Sequence, residues 1–374
     1  MKSNTKIKFF AMYLPQFHEI PENNEFWGKG FSDWVSVKKA KPLFEGHHQP
    51  HIPLNNNYYD LSQKDSIAWQ AELAKKSGID GFGIYHYWFN SDKNLLTRPA
   101  EIILNNRDID VDFFFAWDNT SWKRSWSNVK DGNAWAPLID DKSKTTGSEI
   151  LIPFVLGSEK DWKKHYDYVK SFFTDPRYIK KNNQPLFIIY HYDDEIEKMC
   201  KYWENLAKAD GFNGINFIFR YDETKNIPKE RSVFKYEPQF SGWRKLSFFE
   251  RAFNKIKKII QKSGTLNRYN YDTIWKKILT NAKEYSRSNV YHGGFVSYDD
   301  TPRRGKRGIV VEKFSAIKLK KYLSELASIS SKQNKEYIFL TAWNEWGEGA
   351  YIEPDCRNLY KISSTIKSVH DELL

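Results

Sequence analysis

The chain has 374 residues, of which 40% are hydrophobic and 17% aromatic, and this composition supplies a sizeable core. The formal net charge of +11 would suit nucleic acid, an anionic membrane surface or an acidic glycan as partner, but the sequence contains no nucleic-acid-binding motif and no apolar run of membrane-spanning length. Two cysteines, Cys200 and Cys356, exclude a disulfide framework and lack a metal-ligand spacing. Lysines at 254–262 and 313–321 alternate with apolar residues, so we expect solvated helix faces there.

The first segment of the chain, MKSNTKIKFFAMYLPQF, has a short apolar run that is interrupted by polar residues and proline. It also lacks a small-residue cleavage site, so it predicts the first strand of the fold and not a signal peptide. A cytoplasmic location follows as our expectation.

Short β-branched and aromatic runs alternate with longer amphipathic segments, a pattern typical of βα units around a parallel sheet. The predicted strands are 7–13, 81–88, 111–117, 185–190, 216–221, 233–237, 293–298 and 336–343. The predicted helices are 64–77, 161–173, 195–209, 271–286, 313–328 and 359–374. The connection 222–231 is too short and polar to predict a helix. Because no linker or repeat divides the chain, we expect an α/β fold, a (β/α)8 TIM barrel that forms a single domain over 1–374 with elaborated βα loops.

Catalytic side chains of such barrels gather where the strands end and the βα loops begin. Polar and aromatic residues follow at least seven of the predicted strands in this sequence. Those that we select as candidate substrate-binding residues are Tyr13, His86, Tyr87, Trp88, Trp117, Asn119, Trp122, Tyr190, Glu237, Asp299, Trp343, Asn344 and Trp346.

Glu345 and Glu348 follow the eighth predicted strand and are the candidate catalytic pair. Cleavage of a glycosidic bond needs one carboxylic acid to protonate the departing oxygen and a second carboxylate as base or nucleophile. A spacing of three residues in a tight turn directs both side chains into one cavity, and flanking tryptophans that exclude water raise a carboxyl pKa. Two glutamates near a helix start also complement the helix dipole, but the flanking Trp, Asn and Gly favour the catalytic interpretation.

Sugars rest their apolar faces on aromatic rings, and their hydroxyls pair with planar polar groups. The residues after the third strand that fit this requirement, beside those named above, are Arg124 and Trp126. Packing between barrel and helices is the alternative role for each tryptophan. His86 lies within the apolar run IYHYW. It could donate a hydrogen bond to the substrate, and the alternative is that it is a core histidine whose hydrogen bonds are made within the protein.

Two further motifs compete with a carbohydrate site. A metal site for polysaccharide deacetylation would draw on His47, His48, His51, Asp193 and Asp194. These histidines fall in a proline-containing loop and not on a helix, so the metal site is not favoured. The basic segment 301–308 lacks the P-loop pattern, and its arginines would instead grip an anionic sugar or a phosphate of a donor or lipid carrier.

Three segments of the chain resemble bacterial proteins of the glycoside hydrolase family 99-like group. They read FAMYLPQFHEIPENNEFWGKGFSDWVSVKKAKPLFEGHHQPHIPL, GIDGFGIYHYWF and TAWNEWGEGAYIEPD. Proteins of this group are often described as glycosyltransferases of lipopolysaccharide or O-antigen loci. More distantly they are similar to endo-α-mannosidases and mannanases, which are retaining, metal-independent (β/α)8 barrels. The resemblance therefore implies a barrel enzyme without a cofactor.

The family signature, Asn-Glu-Trp-x-Glu-Gly followed by Ile-Glu, matches this chain and adds Glu353 to the candidate substrate-binding residues. By this resemblance Glu345 deprotonates the 2-hydroxyl of the substrate, which attacks the anomeric carbon and gives a 1,2-anhydro sugar. Glu348 protonates the leaving group and later activates water or an acceptor hydroxyl. The chain departs from its relatives at Thr120, where many carry a glutamate, so its glycan is expected to differ.

The expected function is that of a retaining endo-glycosidase-like enzyme acting on a bacterial surface polysaccharide. Because no signal peptide is recognised, a cytoplasmic glycosyltransferase of O-antigen or lipopolysaccharide biosynthesis is the alternative. A catalytically inactive glycan-binding barrel is a third hypothesis. In each case we expect an oligo- or polysaccharide as partner, and neither nucleic acid nor a membrane span.

Overall fold

The computed structural model describes residues 6–125, 148–244 and 266–373. Eight parallel strands form a closed barrel in which each strand pairs with the next along the chain and the last pairs with the first. They are β1 (Lys8–Tyr13), β2 (Gly81–Asn90), β3 (Phe113–Trp117), β4 (Gln184–Ile189), β5 (Asn216–Arg220), β6 (Ser232–Phe234), β7 (Val290–Phe295) and β8 (Tyr337–Thr341). The eight predicted strands and the (β/α)8 class are confirmed, with differences at the strand ends.

Helices cover the outside of the barrel. In the described residues they are α1 (Pro21–Trp27), α2 (Asp33–Lys39), α3 (Lys64–Lys76), α4 (Arg98–Asn105), α5 (Glu159–Phe173), α6 (Asp194–Ala209), α7 (Tyr271–Glu284), α8 (Thr301–Arg304), α9 (Ala316–Lys332) and α10 (Lys361–Asp371). The six predicted helices are present, and 222–231 forms no helix, as expected. The sequence analysis missed α1, α2, α4 and α8, and the segment 254–262 lies outside the described residues. Within the described part of the chain, no helix is long and apolar enough to cross a bilayer.

Short strands decorate the loops. They pair as Trp122–Ser125 with Ser148–Ile152, Asn267–Asn270 with Ile309–Glu312 and Asn344–Glu345 with Ala350–Tyr351, while Lys93–Leu95 pairs with β2 and Lys180–Lys181 with β4. Short helical turns lie at Leu54–Asn56, Phe240–Arg244, Gly305–Arg307 and Trp346–Glu348.

Strand β2 illustrates how the core is divided. Its residues are buried from Gly81 to Phe89, because one face of the strand lines the barrel and the other packs against the helices. Successive side chains point to opposite faces of a strand. Tyr85 and Tyr87 accordingly point into the barrel, whereas His86 contacts His165 of helix α5.

Candidate active site

A cavity of about 520 Å³ opens among the residues that end or follow the barrel strands. Leu14 follows β1, Asp118 follows β3, Tyr190 follows β4, and Glu345 follows β8. The cavity therefore lies at the carboxyl-terminal end of the strands, where barrels of this class carry their catalytic groups.

Glu345 and Glu348 line this cavity, and a fully buried cation, Arg303, contacts both of them. Nη1 of Arg303 lies 3.0 Å from Oε1 of Glu348 and 3.6 Å from Oε2 of Glu345. The other side of the guanidinium pairs with Asp33, since Nε and Nη2 of Arg303 donate to its two oxygens at 3.1 and 2.9 Å. We call Asp33, Arg303, Glu345 and Glu348 the acidic wall of the cavity. The two glutamates lie close together because one guanidinium nitrogen contacts both.

The acidic wall contains three carboxyl groups and one cation, so the single positive charge of Arg303 does not balance three ionised carboxylates. Burial, and then the neighbouring Glu348 charge, raise the pKa of Glu345 to about 8 despite the opposing effect of Arg303. Burial also raises the pKa of Glu348, and Arg303 opposes that shift most strongly. Both shifts favour a proton on the pair at neutral pH, and the two carboxyl groups titrate together.

The loop that carries the pair is fixed at both ends. Asn344 accepts a hydrogen bond from Leu14 N at 2.7 Å and donates one to Leu14 O at 3.0 Å, which joins the end of β8 to the end of β1. Asp299 N donates to Glu348 O at 2.6 Å. Gly347 lies against the guanidinium of Arg303, and an added Cβ there would overlap it. Asn344 thus positions the catalytic candidates from outside the cavity.

Glu353 lies behind this loop as a buried acceptor. Its carboxyl group accepts hydrogen bonds from Trp346 Nε1 at 2.6 Å, Tyr59 at 2.8 Å and Gln70 at 2.7 Å. Burial raises its pKa to about 7, against the effect of these donors. The structure places Trp346 and Glu353 in the support of the loop and not in the cavity lining.

Tyrosines form the aromatic surface of the cavity. Tyr85, Tyr87, Tyr190 and Tyr236 all line it, and the hydroxyls of Tyr85 and Tyr236 lie 2.8 Å apart. The cavity thus offers ring faces and hydroxyl groups beside the carboxyl pair, the combination that a sugar needs. Two of these residues, Tyr87 and Tyr190, were predicted from the sequence.

Cations line another part of the cavity. Arg220, at the end of β5, lies with its guanidinium carbon 5.1 Å from the centre of the Tyr190 ring and its Nη2 3.1 Å from Nε2 of His191. Arg244 lines the same cavity. We call Arg220, His191 and Arg244 the basic wall. Asn119 supports it, because its amide accepts from His191 N and donates to His191 O, both at 2.8 Å.

Three predicted sugar-binding residues lie on the outer face of the barrel. His86 Nε2 is 2.8 Å from His165 Nε2, the Trp88 ring stacks on His165 at 4.3 Å, and Trp117 Nε1 donates to Trp88 O at 2.9 Å. The structure does not bring them into the cavity, because strand alternation turns them towards helix α5. This placement matches the alternative of a core histidine and of packing tryptophans.

The remaining candidates are also buried beside the cavity and not in it. Trp122 packs edge-on against Tyr87, and Trp343 packs on Phe82. Tyr13 donates to Gln70 at 2.7 Å. The side chain of Arg124 and all of Trp126 lie outside the described residues.

Glu237 and Asp299 are likewise engaged within the protein. Glu237 accepts from Ser241 N at 2.9 Å and from Ser241 Oγ at 2.5 Å. Asp299 accepts from His47 Nε2 at 2.8 Å and from Gln49 at 2.7 Å. Neither carboxyl group lines the cavity.

The histidine motif does not assemble with the acids considered for it. His47 and His51 lie beside Asp299, whereas Asp193 caps helix α6 by accepting from Ile196 N at 2.9 Å. His47 is occupied on both ring nitrogens, because Nδ1 accepts from Leu43 N at 3.0 Å. Among residues 6–125, 148–244 and 266–373, no group of three His, Cys, Asp or Glu could hold a metal ion.

The basic segment 301–308 also takes a different role from that considered. Arg303 is fully buried in the acidic wall, so its charge is used by carboxylates of the protein. Arg304 lies 4.0 Å from Asp300. The cations that line the cavity are instead Arg220 of β5, Arg244 of the turn after β6 and Lys123 of the short strand Trp122–Ser125.

Sequence reasoning missed several cavity residues, namely Tyr85, Asp118, His191, Arg220, Tyr236 and Arg244, and the Asp33–Arg303 pair. For Tyr85 a signal was available, since it is two residues from Tyr87 and so shares its strand face. Asp118 adjoins Thr120, whose hydroxyl donates to it at 2.8 Å, so this loop does bring a carboxyl group to the cavity.

Comparison with known proteins identifies the family. The family model described as Glycosyltransferase WbsX matches residues 9–364. The chain is 28% identical over 358 residues to a Xanthomonas campestris pv. campestris (strain B100) protein named uncharacterized protein WxcX, an alignment that covers 93% of this chain and 47% of that protein. The chain thus spans about half the length of the curated relatives it matches, and a second strain of that organism has a like relative, again 28% identical.

Two solved structures share the fold. The GH99 endo-α-mannosidase from Bacteroides thetaiotaomicron superposes with a TM-score of 0.53 and 15% identity, covering 100% of this chain and 98% of that one. A glycoside hydrolase-like protein gives a TM-score of 0.56 and 12% identity, covering 99% and 95%. These matches confirm the resemblance inferred from the sequence. The chain belongs to the family described as Glycosyltransferase WbsX, and its fold is a (β/α)8 barrel.

Proposed function

We propose that this cavity is the active site of a retaining, endo-glycosidase-like enzyme that acts on glycosidic bonds of a bacterial surface polysaccharide. The observation that carries the proposal is the pair of buried carboxyl groups, Glu345 and Glu348, on one guanidinium nitrogen at the end of the barrel strands. Such a pair supplies the acid and the base that glycosidic chemistry requires. The tyrosines opposite supply ring faces for the sugar.

The roles follow the family resemblance. Glu345, as carboxylate, accepts the proton of the substrate 2-hydroxyl, whose oxygen forms a bond to the anomeric carbon. The bond to the leaving oxygen breaks, and Glu348 gives that oxygen its proton. Water or an acceptor hydroxyl, deprotonated by Glu348, then opens the 1,2-anhydro sugar, and the 2-oxygen recovers its proton from Glu345.

Arg303 supports both charge states of the pair. One proton is held between the two glutamates, and Nη1 of Arg303 contacts each of them, so the guanidinium can stabilise whichever carboxylate is charged. The assigned roles place the carboxylate on Glu345 and the shared proton on Glu348 when substrate is bound.

A glycosyltransferase of O-antigen or lipopolysaccharide biosynthesis, at work in the cytoplasm, is the second candidate function. The observation that favours it is the description of the matching family, which names glycosyl transfer. The same carboxyl pair serves either reaction, because water and a sugar hydroxyl compete for one intermediate. One fold neighbour is named an endo-α-mannosidase, which supports cleavage of a glycosidic bond as the reaction of this chain. The mannose specificity of that enzyme is not assigned to this chain.

The catalytic pair is tested with Glu348→Gln and Glu345→Gln. We expect each to lower turnover at least about a hundredfold, since general acid and base catalysis contribute that much or more, while glycan binding is retained. Turnover is measured as shortened chains from a panel of bacterial surface polysaccharides. The control is Glu284→Gln on the outside of α7, which should leave turnover unchanged. Full turnover in Glu348→Gln would overturn the assignment.

The two roles are separated with substrates that carry an activated leaving group. A leaving group that departs without protonation rescues loss of the acid but not loss of the base. Glu348→Gln should therefore regain the first step on an aryl glycoside, seen as a burst of released aryl group, and Glu345→Gln should not. The opposite pattern would reverse the two roles.

Hydrolysis and transfer are separated by incubating the protein with nucleotide-sugar donors, with and without an acceptor polysaccharide. Chain shortening without nucleotide release supports the glycosidase. Nucleotide release that requires the acceptor would establish the second candidate instead. Binding of polysaccharide with neither product would indicate the inactive glycan-binding barrel.

A further inference from the structure

The basic wall differs from the other charged groups of the cavity in how its charge is compensated. Within the described residues, no salt bridge joins Arg220 or Arg244 to a carboxylate, whereas Arg303 is paired with three. Asp118 influences Arg220, and Asp222 influences Arg244 and Arg220, from beyond salt-bridge distance. Arg244 is exposed, whereas Arg220 is half-buried, and a guanidinium in that position is costly to leave without a counter-ion.

Neutral groups hold Arg220 in place. The ring of Tyr190 lies under its guanidinium, and His191 Nε2 accepts from its Nη2. Burial, and then the charges of Arg220 and Arg244, lower the pKa of His191 to about 3, so the imidazole is neutral and adds no counter-charge. The buried Nε of Arg220 has no hydrogen-bond partner in the described part of the chain. The side chain is thus oriented by neutral groups, and no salt bridge within the described residues compensates its charge.

His191, which orients Arg220, is itself held in place by hydrogen bonds. Asn119 binds both main-chain groups of His191, so the loop after β3 fixes the residue that orients Arg220. Arg244 approaches from the turn after β6, and burial and the charge of Arg220 lower its pKa. Two cations that repel each other in one cavity are stabilised by an anion between them.

We propose that the basic wall is an anion subsite, in which Arg220 and Arg244 bind a phosphate or carboxylate group carried by the substrate. The planar guanidinium matches both groups by paired hydrogen bonds. The subsite lies in the same cavity as the carboxyl pair, so the substrate is a sugar with an anionic substituent or a sugar attached to a phosphate. The inference rests on the proposed function in taking this cavity for the substrate site.

The subsite is tested with small anions and the full chain. Isothermal titration is carried out with inorganic phosphate, pyrophosphate and glucuronate at constant ionic strength, with glucose as the neutral probe. We expect saturable binding of at least one anion and none of glucose. Tighter binding of phosphate or pyrophosphate would assign a phosphate-bearing substrate, and tighter binding of glucuronate would assign a carboxylated sugar.

Arg220→Gln and Arg244→Gln should each weaken that binding about tenfold or more, the effect of losing a hydrogen bond to a charged group. Arg287→Gln, an exposed arginine away from the cavity, makes the same change in net charge and should bind as the wild type does. Arg244 makes no hydrogen bond or salt bridge to another described residue, so its variant is expected to fold even if Arg220→Gln does not.

Absence of saturable anion binding would overturn the inference, and so would equal weakening in Arg287→Gln, which would indicate general attraction by a basic protein. These measurements do not involve turnover. If Glu348→Gln proves fully active while the two arginine variants lose anion binding, the proposed function fails and the anion subsite stands.

Discussion

The two walls of the cavity use arginine in opposite ways. Arg303 is fully buried, and its charge is paired with the carboxylates of Asp33, Glu345 and Glu348. Arg220 is half-buried, and the neutral side chains of Tyr190 and His191 hold it. The first arrangement sets the charge of protein groups, and the second leaves charge for a ligand. The difference shows that the partner of an arginine, and not its presence in a cavity, indicates whether it serves the protein or the substrate.

The largest effect is expected from Arg303→Gln, which removes the cation of the acidic wall. Loss of one partner from a buried ion pair costs about 3–5 kcal/mol, because the remaining charges stay buried. We expect a clearly lower melting temperature and loss of turnover. Thermal unfolding is followed by circular dichroism.

The matched control is Arg304→Gln on the same short helix, where the ion pair to Asp300 is long at 4.0 Å. It should lose much less stability. Equal losses in the two variants would mean that Arg303 is no more deeply paired than its neighbour, and the contrast between the walls would not hold.

The pH dependence of stability sharpens the same contrast. The folded pKa of Glu345, about 8, lies above its ordinary value of 4.5. The folded state therefore binds more protons than the unfolded state between these values, and stability falls as pH rises through this window. Glu345→Gln should show a shallower fall of melting temperature from pH 5 to pH 9 and be the more stable protein at pH 9.

The reference variant for this experiment is the exposed Glu284→Gln, which should follow the wild-type pH curve. If Glu345→Gln also follows that curve, Glu345 does not carry a raised pKa, and the proton of the acidic wall lies elsewhere.

The smallest effect concerns the support of the basic wall. Asn119→Ala removes the two hydrogen bonds that hold His191, so Arg220 loses part of its orientation. We expect anion affinity to fall about fivefold, which corresponds to one ordinary hydrogen bond. Turnover and anion affinity are measured side by side.

Asn289→Ala is the matched control, because Asn289 also donates to two main-chain oxygens, those of Lys229 and Arg231, away from the cavity. Its anion affinity should not change. An unchanged affinity in Asn119→Ala would show that Arg220 needs no positioning through His191.

Barrel strands explain both the success and the limits of the sequence analysis. Runs such as IYHYW are apolar on both faces, so they predict a buried strand well. The same property hides which alternate residues face inwards. The prediction therefore selected His86 and Trp88 beside Tyr87 and missed Tyr85, whereas Tyr85 and Tyr87 line the cavity. The inward face is set by the closure of the barrel, which no local pattern encodes.

The acidic wall shows the same division. Glu345 and Glu348 were found because they are neighbours in a recognisable run after the last strand. Asp33 and Arg303 were missed because their pairing joins residues far apart in the chain, and each looks like a surface residue of a loop in the sequence. Long-range ion pairs of this kind leave no periodic signal.

The hydrogen bonds between Asn344 and Leu14 join β8 to β1, so the acidic wall forms only late in the synthesis of the chain. These two residues are 330 positions apart in the chain, and Gly347 N donates a hydrogen bond to Asp33, 314 positions away. A growing polypeptide that has reached the start of β8 at Tyr337 contains Asp33 and Arg303 but neither glutamate. Synthesis of the closing strand and assembly of the acidic wall are thus one event, and the proposed catalytic pair cannot form in a nascent chain before the barrel closes.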